Sequence, residues 1–181
     1  MTCLLKDNIV ERYGKSVLKR SALRINNGES VLKEILGSGH YRKILEIGTY
    51  KGASAAYMAQ FCDCVMTFDL REGQLENHDP TWDRKAFWKS LGLDNIELYL
   101  VNDDLEKYYL ISYLDFDFAF IDGAHDERVV QDFEMVKHCG AVLFHDYDEK
   151  QKHIKSLVDS LPKDEVTIFG IFALWRRNER S

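Results

Sequence analysis

The sequence contains few of the features that mark linkers, membrane spans or basic binding surfaces. Only two prolines occur among 181 residues, and no repeat or low-complexity tract interrupts the chain. No apolar run approaches the roughly 20 residues that a helix needs to cross a bilayer. The net charge of −6 gives no long-range attraction to a phosphate backbone. We therefore expect neither a membrane-inserted protein nor a general nucleic-acid-binding protein.

Cysteine is also scarce, and its spacing excludes two common roles. The chain has four cysteines, and its first ten residues, MTCLLKDNIV, lack the apolar run of a secretory signal. We expect a cytoplasmic protein with reduced thiols, because disulfides persist mainly in oxidising compartments. Cys62 and Cys64 form C-x-C without a second pair at zinc-like spacing, so they are interpreted as small core residues.

What the sequence does contain is an alternation of short apolar runs with helical patterns, which predicts an α/β fold. The clearest helix covers residues 149–161, with Asp148 as its predicted cap and Pro162 after its end; two shorter ones are predicted at residues 53–61 and 129–136. The runs that predict strands are residues 43–47, 65–69, 96–101, 116–121, 141–144, 166–169 and 171–175.

The last two runs are separated only by Gly170, which is too short a connection for parallel strands. We therefore predict a Rossmann-like, doubly wound and mostly parallel sheet of seven strands that ends in an antiparallel C-terminal hairpin. With 45% hydrophobic residues, the chain is long enough for one domain. This prediction places a helical extension at residues 1–28 and the core at residues 29–176.

A glycine-containing segment, LEIGTYKGAS at residues 45–54, follows the first predicted strand and opens a helix. Gly48 and Gly52 permit a tight turn and close backbone contact with a ligand, and the helix start offers free N–H groups. The spacing is G-x-x-x-G and not the G-x-G-x-x-G of dinucleotide sites. Glu46 would be costly to bury unless it received hydrogen bonds or faced a positive ligand.

Two further acids lie at the ends of the next strands. Asp69 stands where a carboxylate commonly binds a ribose diol, and Asp103 could accept a hydrogen bond from an adenine amino group. A turn-forming role for Asp69 and a helix cap for Asp103 are the alternatives. Together with Glu46, these acids predict a nucleoside ligand with a positive, amino-acid-like tail.

The stretch FDFAFIDGAHDER, residues 116–128, is built to be buried and then ends in charged residues. Charged groups at the tip of a buried strand need a partner or a function. Asp126 and Glu127 are explained as favourable charges at the start of the next helix. Asp132 and Glu134 are expected on the solvated side of that helix.

Taken together, these segments resemble the class I S-adenosylmethionine-dependent methyltransferases, and more narrowly the small-molecule O-methyltransferase branch that includes metal-dependent sugar methyltransferases. The resemblance covers residues 29–176 and lies in LEIGTYKGAS, Asp69, NDD (102–104), FIDGAH (120–125) and AVLFHDY (141–147). It implies S-adenosylmethionine as the cofactor and the following binding residues: Glu46, Gly48, Thr49, Tyr50, Gly52, Ser54, Asp69, Leu70, Asp103, Asp104 and Asp122.

The same resemblance implies a divalent cation such as Mg²⁺ between Asp122 and Asp146. Tyr147 stands where catechol-type relatives have a third ligand, asparagine, so His145, Asp148 or water is left to complete the site. His125 matches the general base of similar sugar methyltransferases, the alternative being a loop histidine that orients Asp122. The implied acceptor is a hydroxyl of a sugar or another small molecule.

Other readings of the same residues remain open. A nucleotide-dependent α/β oxidoreductase would require a third glycine in the first turn, where the chain has Ala53. A catalytically inactive cofactor-binding or partner-binding module of the same fold is a further alternative. Because little of the chain is left to cover the site, we expect an open site or one completed by a second subunit in a homo-oligomer.

Overall fold

All seven predicted strands are present and form one sheet. A computed structural model describes residues 5–18, 21–24, 28–38, 41–71 and 81–178. Predicted and observed strand ends differ by at most three residues. The strands are β1 (Tyr41–Ile47), β2 (Cys62–Leu70), β3 (Ile96–Val101), β4 (Phe118–Ile121), β5 (Ala141–Phe144), β6 (Val166–Phe169) and β7 (Phe172–Arg176).

The strand order β3-β2-β1-β4-β5-β7-β6 confirms the doubly wound arrangement with an antiparallel end. Among the first five strands in this order, β3, β2, β1, β4 and β5, adjacent strands pair in parallel. Strand β7 runs antiparallel to both β5 and β6. In this register Ile47 lies opposite Phe68 on one side and Ile121 on the other. The residues that follow β1, β2 and β4 therefore emerge side by side at one edge of the sheet.

Helices cover both faces of the sheet. They are α1 (Leu5–Tyr13), α2 (Gly28–Gly37), α3 (Ala53–Met58), α4 (Arg84–Ser90), α5 (Asp104–Ile111), α6 (Arg128–Val136) and α7 (Lys152–Ser160). Successive residues along β1 point to opposite faces, so that Ile44 joins the core beneath α1 to α4 and Leu45 joins the core beneath α5 to α7. Burial on both faces explains why the strands read as continuous apolar runs.

Two local predictions need correction or restriction. The prediction that Asp148 caps the helix after β5 is wrong: α7 begins at Lys152 after Gln151, and Asp148 Oδ1 instead accepts from the backbone N–H groups of Lys150 and Gln151 in the preceding turn. Of the predicted extension, residues 1–4, 19–20 and 25–27 lie outside the described residues. Each helix within the described ranges is too short or too polar to span a bilayer.

Candidate active site

A cavity of about 530 Å³ opens at the carboxyl ends of the parallel strands. Its walls include Ile47 at the end of β1 and Gly48 after it, Leu70 at the end of β2 and Val101 at the end of β3. Ligands of open α/β sheets bind at this edge, where the strand order reverses. The acidic and basic residues that line the cavity are Arg24, Asp69, Asp104, Lys107, Asp122, His125, Arg128, Asp132 and Asp146, and Tyr50 lines it as well.

The turn after β1 requires its glycines because it is tight and closely covered. Gly48 has φ +104°, and a Cβ there would lie 2.4 Å from the carbonyl oxygen of Asp122. Gly52 has φ +79°, and a Cβ would lie 2.6 Å from the ring of Trp88. Tyr50 adopts φ +44°, which is uncommon for a residue with a side chain. The turn therefore has one backbone shape, fixed by β4 on one side and α4 on the other.

Asp69 is held at the cavity wall by donors that include three from the described residues. Its Oδ1 accepts from the Leu70 N–H at 2.9 Å, and its Oδ2 accepts from the Tyr50 N–H at 2.8 Å. The guanidinium of Arg84 lies 3.1 Å from the same Oδ2. The carboxylate predicted to bind ribose thus has a fixed position in the cavity.

Glu46 lies behind the turn and is not among the described residues that line the cavity. The residue is fully buried, and burial raises the pKa of its carboxyl well above the usual value. The Thr67 hydroxyl donates to Oε2 at 2.5 Å and lies 2.6 Å from the Thr49 hydroxyl, while Oε1 has no hydrogen-bond partner among the described residues. Glu46 is thus placed to support the turn from behind through the Thr67 hydroxyl.

Three other residues of the predicted cofactor set also lie beside the main cavity. Thr49, Gly52 and Ser54 line a separate cleft of about 10 Å³, which is too small for a ligand. The Ser54 hydroxyl there lies 3.0 Å from the hydroxyl of Ser21, a residue of the N-terminal segment. These residues shape the turn and the packing beneath it.

The two acids after β3 have different positions. Asp103 is exposed, and its Oδ1 accepts from the backbone N–H of Glu106 at 2.9 Å, which is the geometry of a helix cap at the start of α5. Asp104 lines the cavity. Asp103 is therefore a helix cap, which was the alternative role, and Asp104 is the acid that faces the cavity.

At the end of β4, Asp122 is paired with His145. The Asp122 side chain is 6% exposed, and its Oδ1 lies 2.6 Å from His145 Nδ1. Burial raises the pKa of Asp122 more than the neighbouring imidazole lowers it. The other ring nitrogen of His145, Nε2, is buried and has no partner among the described residues. His145 therefore holds Asp122 from behind the cavity.

Asp146 has a positive φ of 58° and is contacted by Arg24, His125 and His145, whose Nδ1 lies 3.4 Å from Asp146 Oδ2. His125 Nε2 lies 3.1 Å from its Oδ2, and Arg24 Nη2 lies 3.2 Å from its Oδ1. Burial would raise the pKa of Asp146, but the hydrogen bond from His125 and the charges of His145 and Arg24 outweigh burial, so the pKa lies below its usual value.

One ligand atom each from Asp122, His125 and Asp146 lies within 4.8 Å of the others, which is compact enough to hold a metal ion. His145, the predicted third ligand, is absent from this group because its Nδ1 faces Asp122 and its Nε2 points into the protein. The geometry therefore places His125, and not His145, beside the two carboxylates on the cavity side.

One part of the cavity was missed from the sequence. Asp132 was expected in solvent, and that expectation is wrong: the residue is fully buried, and its Oδ1 lies 2.5 Å from Lys107 Nζ. Asp104 Oδ1 lies 2.8 Å from the same ammonium group. The sequence signal existed, because position 132 falls on the buried stripe of Val129, Phe133 and Val136. Glu134 is exposed as expected.

Residues 45–147 match a protein family described as a methyltransferase domain. This span is more than half of the chain and contains the glycine turn, Asp69 and the cluster around Asp122. The chain belongs to this methyltransferase family. The resemblance predicted from the sequence is confirmed at this level, and no curated protein matches the chain.

Solved structures with the same fold as this methyltransferase include O-methyltransferases with SAH or SAM bound. The O-methyltransferase from Bacillus cereus in complex with SAH is 18% identical, with a TM-score of 0.62 over 96% of this chain and 97% of that one. TomG from Streptomyces achromogenes, an O-methyltransferase of tomaymycin synthesis solved with SAM, is 16% identical, with a TM-score of 0.61 over 96% of both chains.

An rRNA methylase from Streptococcus thermophilus also shares the fold, at 17% identity and a TM-score of 0.56 over 82% of this chain and 93% of that one. Identities this low establish the fold alone. The acceptor of this methyltransferase depends on the residues of its own site, because one fold supports many substrates.

Proposed function

We propose that the chain transfers a methyl group from S-adenosylmethionine to a hydroxyl of a small molecule, and that the acceptor is a sugar or a similarly hydroxylated compound. One observation carries the proposal: a single cavity contains a glycine turn, a fixed strand-end carboxylate and an imidazole beside two buried acids. The first two suit a nucleoside cofactor, and the last suits a proton transfer next to it. The family membership gives no support to an oxidoreductase or an inactive module.

The cofactor position follows from the residues that reach the cavity. Asp69 is placed to accept hydrogen bonds from a ribose diol, and Gly48 leaves room for a chain that passes the turn. Asp104 takes the role in adenine recognition that the sequence suggested for Asp103, because only Asp104 of the two lines the cavity. S-adenosylmethionine supplies an activated methyl group, so the protein has to orient the acceptor more than to activate the donor.

His125 is the general base in this proposal. It lines the cavity, and its side chain is 41% exposed. Its Nε2 lies 3.1 Å from Asp146 Oδ2, which accepts a hydrogen bond from this nitrogen. A carboxylate in this position orients an imidazole and stabilises its protonated form. His125 can then receive the proton that an acceptor hydroxyl releases when its oxygen takes the methyl group.

A divalent cation fits the same place, and we propose that Asp122 and Asp146 hold it. Two buried carboxylates whose oxygens lie within 4.8 Å of each other and of an imidazole nitrogen form a compact donor set. When bound, a cation lowers the pKa of a coordinated hydroxyl and orients its oxygen. His125 cannot use one nitrogen both as a ligand and as a base, so the base role assigned here leaves the ion to the two acids.

Assembly into a homo-oligomer stays a prediction.

Binding of S-adenosylhomocysteine tests the cofactor assignment directly. We expect calorimetry to give a dissociation constant in the micromolar range for the wild type, and binding at least about tenfold weaker for Asp69→Ala, because a charge-assisted contact to ribose is lost. The exposed ion-pair residue Asp159 provides the control, since Asp159→Ala removes a carboxylate outside the cavity.

Melting temperatures show whether Asp69→Ala is folded, and Asp69→Asn serves as a second variant that keeps the side-chain shape. If folded wild-type protein binds neither S-adenosylhomocysteine nor S-adenosylmethionine, the proposed function is wrong. Equal affinity of the wild type and both Asp69 variants would remove Asp69 from the cofactor site but leave the function standing.

Arg24 gives a test of the metal assignment that does not depend on activity. Its guanidinium pairs with Asp146 while the side chain remains 44% exposed, so it competes with a divalent ion for the same carboxylate. We expect Arg24→Gln to tighten Mn²⁺ binding by about threefold to tenfold, since an exposed ion pair is worth only about 1 kcal/mol. Electron paramagnetic resonance of free Mn²⁺ measures the affinity.

Arg42→Gln is the matched control, because Arg42 pairs with Asp115 in an exposed position away from the cavity. Its Mn²⁺ affinity should equal that of the wild type. If Arg24→Gln binds Mn²⁺ no more tightly than the wild type, the ion does not use Asp146 in the way proposed.

A further inference from the structure

The segment that contains α4 donates hydrogen bonds to three successive carbonyl groups of the glycine turn. Arg84 Nε donates to the Tyr50 carbonyl at 2.5 Å, Trp82 Nε1 to Lys51 at 3.1 Å and Trp88 Nε1 to Gly52 at 2.8 Å. Backbone carbonyls in a covered turn need partners. Side chains more than 30 residues away in sequence therefore supply the partners that hold this turn in shape.

Packing shows how closely α4 approaches the turn. Trp88 is 2% exposed and Arg84 is 4% exposed. The Trp88 ring occupies the space in which a Cβ of Gly52 would lie, at 2.6 Å. The contact is thus part of the folded core around the cavity and not a loose surface association.

Of the three donors, Arg84 also contacts the carboxylate assigned to the ribose. Its Nη2 lies 3.1 Å from Asp69 Oδ2, and that oxygen also accepts from the Tyr50 N–H at 2.8 Å. The guanidinium therefore bridges the carboxylate of Asp69 and the carbonyl of Tyr50, while the Tyr50 N–H donates to the same carboxylate oxygen. A planar guanidinium suits this arrangement because its N–H groups point in fixed directions.

We propose that Arg84 is a positioning residue for the cofactor, which acts through Asp69 by holding its carboxylate in the orientation that a ribose diol requires. The inference rests on the proposed function, because it needs Asp69 to bind ribose. Without Arg84, the carboxylate keeps the backbone N–H donors of Tyr50 and Leu70 but loses the guanidinium that contacts it from α4. The carboxylate of Asp69 then becomes ordered only when the cofactor binds, and the entropy lost in that step reduces the affinity for the cofactor.

A double-mutant cycle on S-adenosylhomocysteine affinity separates action through Asp69 from a general effect on the turn. The four proteins are the wild type, Arg84→Met, Asp69→Ala and the combined variant, and calorimetry gives each dissociation constant. We expect Arg84→Met to weaken binding about tenfold or more in the wild-type background and less than about threefold when Asp69 is alanine. Equal losses in both backgrounds, or no loss in either, would overturn the inference.

Trp82→Phe is the matched control, because it removes the neighbouring hydrogen bond to Lys51 and keeps an aromatic ring. Its effect on affinity should be the same whether residue 69 is aspartate or alanine. Where a melting curve shows that Arg84→Met is unfolded, Arg84→Lys replaces it in the cycle under the same criterion. If the wild type binds no S-adenosylhomocysteine, the proposed function and this inference fall together, whereas binding without coupling removes only the role of Arg84.

Discussion

Replacing Lys107 by methionine is expected to lower the free energy of unfolding by about 3–5 kcal/mol at neutral pH, because it leaves a fully buried carboxylate without its cation. Asp132 has no solvent exposure, and one of its oxygens already lacks a hydrogen-bond partner among the described residues. Burial alone would lower the pKa of Lys107, but the charges and hydrogen bonds of Asp132 and Asp104 raise it, so the residue is charged in the wild type.

The loss should depend on pH in a defined direction. Burial raises the pKa of Asp132 even beside Lys107, and removal of the ammonium group raises this pKa further. A buried acid whose folded pKa exceeds its unfolded pKa costs nothing below the unfolded value, near 4, and costs more as the pH rises through the folded value. The difference between the variant and the wild type should therefore be small near pH 4 and large at pH 7.

Urea unfolding at several pH values between 4 and 8 measures this difference. Lys137→Met is the matched control, because Lys137 pairs with Glu134 on the surface and its removal should change stability by less than about 1 kcal/mol. The combined change Lys107→Met and Asp132→Leu should recover most of the stability, since no fully buried unpaired charge remains and Asp104 is partly exposed. A combined variant as unstable as Lys107→Met alone would show that packing and not charge is responsible.

The Lys107–Asp132 pair also illustrates why the sequence interpretation failed at this point. The strands could be located from the sequence because the central ones, such as β4 and β5, are buried on both faces and read as continuous apolar runs. Helix α6 carries an equally clear stripe of apolar residues, and Asp132 lies within it. The charge of Asp132 led to a prediction of solvent exposure, whereas its helical position indicated burial.

The site was predictable where residues follow directly from a strand end. Asp69, Asp122 and Asp146 reach the cavity because the parallel strands end level with one another. The local role of Asp103 depended on whether α5 begins at the next residue, and the sequence left both outcomes open. His145 was predicted as a metal ligand, but its imidazole lies behind Asp122, whereas His125 lines the cavity.

Arg24 and Arg84 had no signal in the sequence. Each reaches its carboxylate from a segment distant in the chain, Arg24 at 122 residues from Asp146 and Arg84 at 15 residues from Asp69. Neither lies in a motif, because the contact depends on how a whole segment packs against the sheet. Long-range packing of this kind is set by the folded core and not by local pattern.

Replacing His125 by glutamine is expected to reduce the turnover number about 10²-fold to 10⁴-fold while cofactor affinity stays within about twofold of the wild type. Glutamine keeps a polar side chain near Asp146 but cannot accept a proton from the acceptor hydroxyl. Initial rates at saturating S-adenosylmethionine measure the effect, with the acceptor that gives the fastest turnover in a panel of sugars and phenols. Calorimetry with S-adenosylhomocysteine measures the affinity.

The same variant separates the two roles that the position of His125 permits. A base acts on the acceptor, so Mn²⁺ affinity should stay close to the wild-type value; a third ligand would instead weaken Mn²⁺ binding by about tenfold or more. Asp122→Asn supplies the comparison, because it should weaken Mn²⁺ binding and reduce turnover together.

His138→Gln is the control for histidine removal, since His138 is exposed beside Met135, just before the start of β5 and away from the cavity. Its turnover and Mn²⁺ affinity should match those of the wild type. If His125→Gln retains turnover within about threefold, proton transfer does not pass through this imidazole. The buried pair of Asp122 and His145 would then be the remaining acid–base group at the end of β4, and His125 would act only by orienting Asp146.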